Sequence, residues 1–322
     1  MSVAIEIRNL TKRYDTTVAL EQISFEVQRG EIMGFLGPNG AGKTTTLRIL
    51  TGILAPTSGS IRINGLDAET QSLEVRRQIG YLPENVALYP EMRVQEYLDY
   101  RARIKGVPAR RVRQAVADVT DRCALTEARR KLIGRLSKGY RQRVGLADCL
   151  IAKPSILILD EPTVGLDPHQ IRQTRELITV LGQTSTVLLS THILPEVEMT
   201  CQRVTIINEG KIVAVDTPAN LRQGLSGRQL IHVELRGDLA DVEQALRQVE
   251  GVARVQPQGR TDGFVTFEIE AHSGSDVREA IFHLAVARQW PIRQLAQVQA
   301  SLEDVFIHLT THEQDVEPVA VS

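Results

Sequence analysis

A chain of 322 residues with 42% hydrophobic side chains has room for one large domain plus a smaller one, and is too apolar to be a disordered chain. Its 38 basic and 39 acidic side chains leave a formal charge of −1, so no whole-molecule field draws it to nucleic acid, and no nucleic-acid partner is expected. The three widely spaced cysteines, Cys123, Cys149 and Cys201, make neither a disulfide set nor a zinc pattern and fit a reducing compartment.

In chain order, VAIEIRNL and ISFEVQRGE alternate apolar and polar residues, which predicts short strands within 1–30. The opening MSVAIEIRNLTKRYD therefore reads as strand and lacks the apolar stretch of a signal peptide. IMGFLG is a compact buried strand that runs into GPNGAGKTTTLRILTGI, a glycine-rich turn followed by a helical pattern. GSIRINGLD is a further strand and turn. From about 91 to 150 the pattern is helical and arginine-rich, as in YLDYRARIKGVPARRVRQAVADV, which reads as a solvated helix face. SILILD and STVLLSTH are buried strands on either side of a helix over 168–183. Strands alternating with helices predict a mostly parallel sheet covered on both faces. The longest apolar runs span a few residues, against the roughly 20 that a membrane-crossing helix needs, so membrane work would require a partner.

TPANLRQGLSGR, at 217–228, reads as a linker. Beyond it the order is strand (229–236), helix (239–249), strands (252–257 and 263–270), helix (275–288) and strand (291–298). A last helix is expected from Ser301, with Asp304 completing a capping box. Val265, Phe267 and Ile269 would share one strand face, and Val277, Ile281 and Leu284 one helix face. This βαββαβ order suits a small α+β, ferredoxin-like domain, and it carries no catalytic motif. The expected organisation is a large first domain over 1–220 with a helical part at about 88–150, a linker at 221–228, an accessory domain at 229–312 and a disordered tail at 313–322.

Two motifs carry chemistry. GPNGAGKTT fits the phosphate loop G-x-x-x-x-G-K-[ST], in which glycines at Gly37, Gly40 and Gly42 let backbone N–H groups approach phosphate oxygens. Lys43 would reach the β- and γ-phosphates and the Thr44 hydroxyl would ligate Mg2+. The helix that follows adds its positive N-terminal dipole. ILILDEP is a buried strand that ends in two carboxylates. Asp160 suits a Mg2+-holding role, and Glu161, one residue further, can orient or deprotonate an attacking water.

Together these stretches resemble the nucleotide-binding subunit of ABC transporters, over about residues 3–220. LSKGYRQRV is similar to that family's signature, usually LSGGQ before a basic helix. Lys138 and Tyr140 depart from the consensus, whereas Ser137 and Gly139 keep it. The resemblance implies an α/β P-loop fold with a mixed-sheet core, an antiparallel β subdomain and a helical subdomain. It implies ATP and Mg2+ as cofactors, with Gly37, Pro38, Asn39, Gly40, Ala41, Gly42, Lys43, Thr44 and Thr45 around the phosphates. Tyr14 resembles the aromatic residue that stacks on adenine, and Val18 would pack near the sugar and base. Asp167 in TVGLDP resembles the subunit-coupling aspartate. His192 resembles the switch histidine that contacts the γ-phosphate and catalytic water. IGYLPEN stands where the family presents a glutamine to Mg2+ and water; here the residue is Glu84, which can ligate a cation but, when ionised, donates no hydrogen bond.

A single chain does not obviously cover the γ-phosphate from the far side. The resemblance therefore implies a head-to-tail homodimer in which Ser137 and Gly139 reach the ATP of the other subunit. YLPENVALYPEMRVQEYL and SLEDVFIHLT resemble the exporter-type subgroup, whose multi-span membrane permease is a separate polypeptide, which places the chain at the cytoplasmic membrane face. The competing reading is a soluble ABC-type ATPase with a regulatory or mechanical role. The stretch between phosphate loop and signature is too short for the coiled coils of DNA-repair relatives, and translation-factor relatives carry two cassettes where this chain has one.

Overall fold

The computed structural model describes residues 2–225, 229–272, 276–298 and 306. Two compact units divide the chain, Met1–Pro218 and Ala219–Ser322. The first opens with a hairpin of β1 (Val3–Tyr14) and β2 (Thr17–Gln28), followed by β3 (Ile32–Leu36) and α1 (Lys43–Leu50). Next come β4 (Ser58–Ile63), β5 (Leu66–Asp67), α2 (Ser72–Gln78) and β6 (Ile79–Leu82). A helical stretch contains α3 (Val94–Ile104), α4 (Ala109–Arg122), a 3-10 turn (Ile133–Arg135) and α5 (Lys138–Leu150). The unit then runs through β7 (Ile156–Asp160), α6 (Pro168–Gly182), β8 (Thr186–Thr191), α7 (Leu194–Thr200), β9 (Arg203–Asn208) and β10 (Lys211–Asp216).

Every residue of β3, β7 and β8 is buried, as their unbroken apolar sequences require of parallel strands covered on both faces. They form a six-stranded sheet in the order β10-β9-β3-β8-β7-β6, parallel throughout except for the β9–β10 pair. The hairpin pairs with β4 and β5 in an antiparallel sheet of order β2-β1-β4-β5. Between the sheets lies a core that contains Ile5, Leu20, Phe25, Phe35, Leu47 and Leu188, with Phe25 and Phe35 stacked at 5.3 Å.

One expectation needs correcting. The stretch read as a linker holds α8 (Pro218–Leu225), so residues 221–225 are helical. Proline is favoured in a first helical turn, and Ala219, Leu221, Arg222 and Gln223 are adequate helix formers, which outweighs Gly224 in the last turn. Of the last helix expected from Ser301, Phe306 is the one described residue, and it is helical; the tail at 313–322 lies outside the described residues.

The second unit continues with β11 (Gln229–Leu235), α9 (Leu239–Arg247), β12 (Val252–Thr261), β13 (Phe264–Ala271), α10 (Arg278–Ala287) and β14 (Ile292–Val298). Its sheet is antiparallel in the order β12-β13-β11-β14. Alternation is clean along β13: Val265, Phe267, Ile269 and Ala271 are buried, and the residues between them are half-buried. The inward set packs on Val242, Leu246, Val277 and Ile281, with Leu284 partly buried beside them. Asp238 caps α9 by accepting from the Ala240 N–H at 3.0 Å. Phe267 is among the largest fully buried side chains of the molecule. Phe267→Ala is expected to destabilise this unit by about 3–5 kcal/mol, read from its denaturant midpoint.

Candidate active site

The strand order brings distant motifs to one edge. β8 lies between β3 and β7, with Leu36 opposite Thr191 and Asp160 opposite Ser190, while Leu82 of β6 pairs with Leu159 of β7. The segments leaving the C-terminal ends of these parallel strands carry Gly37, Glu84, Glu161 and His192. This is the edge where open α/β sheets bind ligands.

The loop between β3 and α1 is shaped by its glycines. Gly42 has φ +104°, and a Cβ there would come within 2.8 Å of the Ala19 carbonyl oxygen and 2.6 Å of Leu20 Cδ2. A Cβ on Gly37 would collide with the Ile207 carbonyl oxygen. Gly37→Ala is therefore expected to expel the loop from its seat and abolish nucleotide binding, measured with a fluorescent nucleotide. Asn39, Gly40, Gly42, Lys43, Thr44 and Thr45 line a cavity of about 370 Å3, closed by Ala19, Glu84, Glu161, Val164 and His192. Pro38 and Ala41 support the loop from behind: Pro38 accepts from Lys43 Nζ, and Ala41 accepts from the Gly210 N–H at 3.1 Å.

Lys43 is buried and its ammonium is shared. It donates to the Gly37 and Pro38 carbonyl oxygens at 2.7 and 3.1 Å and faces Glu161 Oε1 at 3.5 Å. The other carboxylate oxygen of Glu161, Oε2, lies 2.9 Å from His192 Nδ1. Glu161 thus stands between the loop lysine and the histidine, held there by an unusual backbone. Its φ is +48°, and its N–H donates to the Ser190 carbonyl at 3.0 Å. His192 is 41% exposed along its side chain, so it is reachable from solvent.

Asp160 stands behind the cavity, fully buried, with Oδ1 3.5 Å from the Thr44 hydroxyl and Oδ2 without a hydrogen-bond partner among the described residues. Burial pushes its carboxyl group above the usual range, and the nearby Glu161 and Glu84 charges push in the same direction. Among the described residues no group of three or more His, Cys, Asp or Glu side chains could hold a metal ion.

The remaining expected residues stand apart. Tyr14 and Val18 are exposed, and neither they nor Ser137, Gly139 and Asp167 line the cavity. Ser137 is the N-cap of α5 and its Oγ accepts from the Tyr140 N–H at 3.4 Å. Asp167 is the N-cap of α6 and accepts from the Gln170 N–H at 2.9 Å. These two helix starts touch, which the sequence did not reveal: Gln170 covers Gly139, the Lys138 ammonium crosses Gly165, and Arg143 bonds Gln173. Arg101 of α3 anchors α5 from the other side through both oxygens of Asp148 at 3.0 Å. Ala19 and Val164 also line the cavity, and nothing in their local sequence marks them.

The sequence profile described as ABC transporter matches residues 20–164, and one described as ATP-binding protein DrrA1-3-like, C-terminal domain, matches residues 217–310. The linearmycin resistance ATP-binding protein LnrL of Bacillus subtilis (strain 168) is 30% identical over 95% of this chain and 98% of its own length. The chain belongs to the ATP-binding proteins of ABC transporters. It is an ATP-hydrolysing, ATP-binding subunit of such a transporter. Nod factor export ATP-binding protein I of Burkholderia pseudomallei (strain K96243) is 35% identical to this ABC protein, over 97% of this chain and 99% of its own. A solved ATP binding subunit of an ABC transporter superposes with a TM-score of 0.63 at 31% identity, covering 69% of this chain and 93% of that one. No helix among the described residues of the ABC protein is long and apolar enough to cross a membrane.

Proposed function

We propose that two copies of this chain close head to tail on two ATP molecules, and that a separate multi-span permease converts the closing and reopening into export. The observation that carries this reading is a separation: the phosphate loop, Glu161 and His192 share one cavity, and Ser137 and Gly139 line none of it. An anion-suited helix start that does not face its own chain's nucleotide site has a use when a second copy brings it to that site. The names of relatives, which include bacitracin transport and Nod factor export proteins, support a transport role and the outward direction. On this reading the chain sits at the cytoplasmic membrane face through the permease.

On this reading the residues divide the work as follows. Backbone N–H groups of residues 39–45 and the Lys43 ammonium take the phosphates, Tyr14 and Val18 take the adenosine end, and Asp167 couples the subunits. Glu161, an acceptor-only carboxylate when ionised, takes the proton of the attacking water, while His192 holds its Oε2 in place. Mg2+ fits the oxygen donors present: Thr44, Asp160, whose Oδ2 has no hydrogen-bond partner among the described residues, and Glu84. The cation typically takes one or two carboxylates plus substrate phosphates, so a full protein cage is not required. When bound, it neutralises charge on the β- and γ-phosphates.

Because burial disfavours its charge, Asp160→Asn is expected to raise the thermal midpoint measured without divalent cation and to remove the rise that MgATP gives the native chain. Ser137→Ala is expected to lower turnover about 10- to 100-fold, the worth of a hydrogen bond to a charged phosphate. Sedimentation of the full chain with and without ATP, together with co-purification of a multi-span membrane protein, tests the assembly. A chain that stays monomeric at saturating ATP, with Ser137→Ala turning over normally, would sink the head-to-tail reading.

A further inference from the structure

Behind His192 lies a buried carboxyl group to which the mechanism above gives no task. Glu196, 2% exposed, sits in the first turn of α7. Its Oε2 accepts from the Thr191 hydroxyl at 2.9 Å, and its Oε1 has no hydrogen-bond partner among the described residues. Thr191 ends β8, is fully buried, and accepts from the Ile193 N–H at 3.0 Å. The order of groups is therefore Ile193 N–H to Thr191 Oγ1, and Thr191 O–H to Glu196 Oε2.

In an ordinary capping box, a Glu three residues into the helix takes the N-cap backbone N–H directly. Ile193 is the N-cap of α7 and Glu196 is that third residue, yet here the Thr191 hydroxyl stands between them. The detour ties together the residues on either side of His192. Capping α7 does not call for it, and leaving one buried carboxyl oxygen unmet costs about 1–3 kcal/mol. The His192 side chain is 41% exposed, so its aim at Glu161 Oε2 depends on the backbone that carries it.

We propose that Glu196 and Thr191 are positioning residues for ATP hydrolysis: the carboxyl group orients the threonine hydroxyl, the hydroxyl holds the Ile193 N–H, and the relay sets the backbone that presents His192. This rests on the reading of His192 as the residue that contacts the γ-phosphate and catalytic water.

The test compares Thr191→Val, Thr191→Ser, Glu196→Gln, His192→Ala and the Thr191→Val/His192→Ala double variant in the full chain, measuring kcat, KM for ATP, ADP affinity and thermal midpoint. Thr191→Val keeps the shape and loses the relay, and is expected to lower kcat by roughly 10- to 100-fold, the scale of a misplaced catalytic group. ADP affinity should be unchanged, because ADP offers no γ-phosphate to His192. Thr191→Ser and Glu196→Gln, which keep donor and acceptor, should run near the native rate, and Thr191→Val should add nothing in the His192→Ala background. Should Thr191→Val fold poorly, Glu196→Met reads the same relay by removing the acceptor at similar length. Native kcat in Thr191→Val beside an impaired His192→Ala would overturn the relay, as would effects of the two that multiply. Native turnover in His192→Ala would remove the histidine from the mechanism, and the relay with it.

Discussion

Glu161→Gln is expected to lower ATP turnover by about 10²- to 10⁴-fold, the contribution of a positioned general base, while ATP still binds. The substitution keeps the shape that fills the gap between Lys43 and His192 and keeps an oxygen for the histidine. It removes the basicity and the charge facing the Lys43 ammonium, which keeps its Gly37 and Pro38 carbonyl partners. The left-handed backbone at this position, φ +48° for a residue with a side chain, is a strain that the sheet maintains through the Ser190 carbonyl. It turns the side chain away from the strand axis and into the cavity, so a neighbouring carboxylate cannot substitute for it. With ATP unconsumed, the proposed closed pair should persist, and sedimentation should report doubled mass in ATP and single mass in ADP. Pi release within a few-fold of the native chain would remove Glu161 from the base position, whatever the dimer does.

Lys43→Ala acts on both binding and stability. Loss of the ammonium removes a charge-assisted contact to phosphate, for which about a 10- to 100-fold weaker nucleotide affinity is expected. It also strands Glu161, a buried carboxylate whose Oε1 faces that ammonium at 3.5 Å. Breaking one side of a buried pair typically destabilises by about 3–5 kcal/mol, since the partner's charge is left uncompensated. The two effects separate in the double variant. Lys43→Ala/Glu161→Gln should recover much of the denaturation midpoint and none of the nucleotide affinity. If the single variant unfolds at the native midpoint, the pair contributes nothing to the fold.

Much of this site is legible because its motifs are local. GPNGAGKTT dictates a loop that only glycines can form at Gly37 and Gly42, and the clashes awaiting a Cβ there explain those positions. ILILDEP announces a buried strand with carboxylates at its end, and β7 ends at Asp160. The second unit was readable for a related reason, since the two-residue alternation of Val265, Phe267 and Ile269 is the pattern of a sheet with one buried face. Elsewhere local signals compete. The glycines of TPANLRQGLSGR suggested a linker although Pro218 starts a helix. The hairpin of β9 and β10 and the short helix α7, which carries Glu196, emerge only in the folded chain.

The chemistry is written locally: a phosphate cradle, a lysine, paired carboxylates and a histidine, each specified within a few residues by turn geometry and burial. Which of them meet depends on how the strands assemble. Insertion of β8 between β3 and β7 sets His192 beside Glu161 and Glu161 beside Lys43. The same fold lays Gln170 over Gly139 and Lys138 across Gly165, joining two helix starts that no local pattern connects. The physical reason is that parallel strands pair across long crossovers. Adjacency is settled by how the whole sheet buries its faces, a property that no single segment carries.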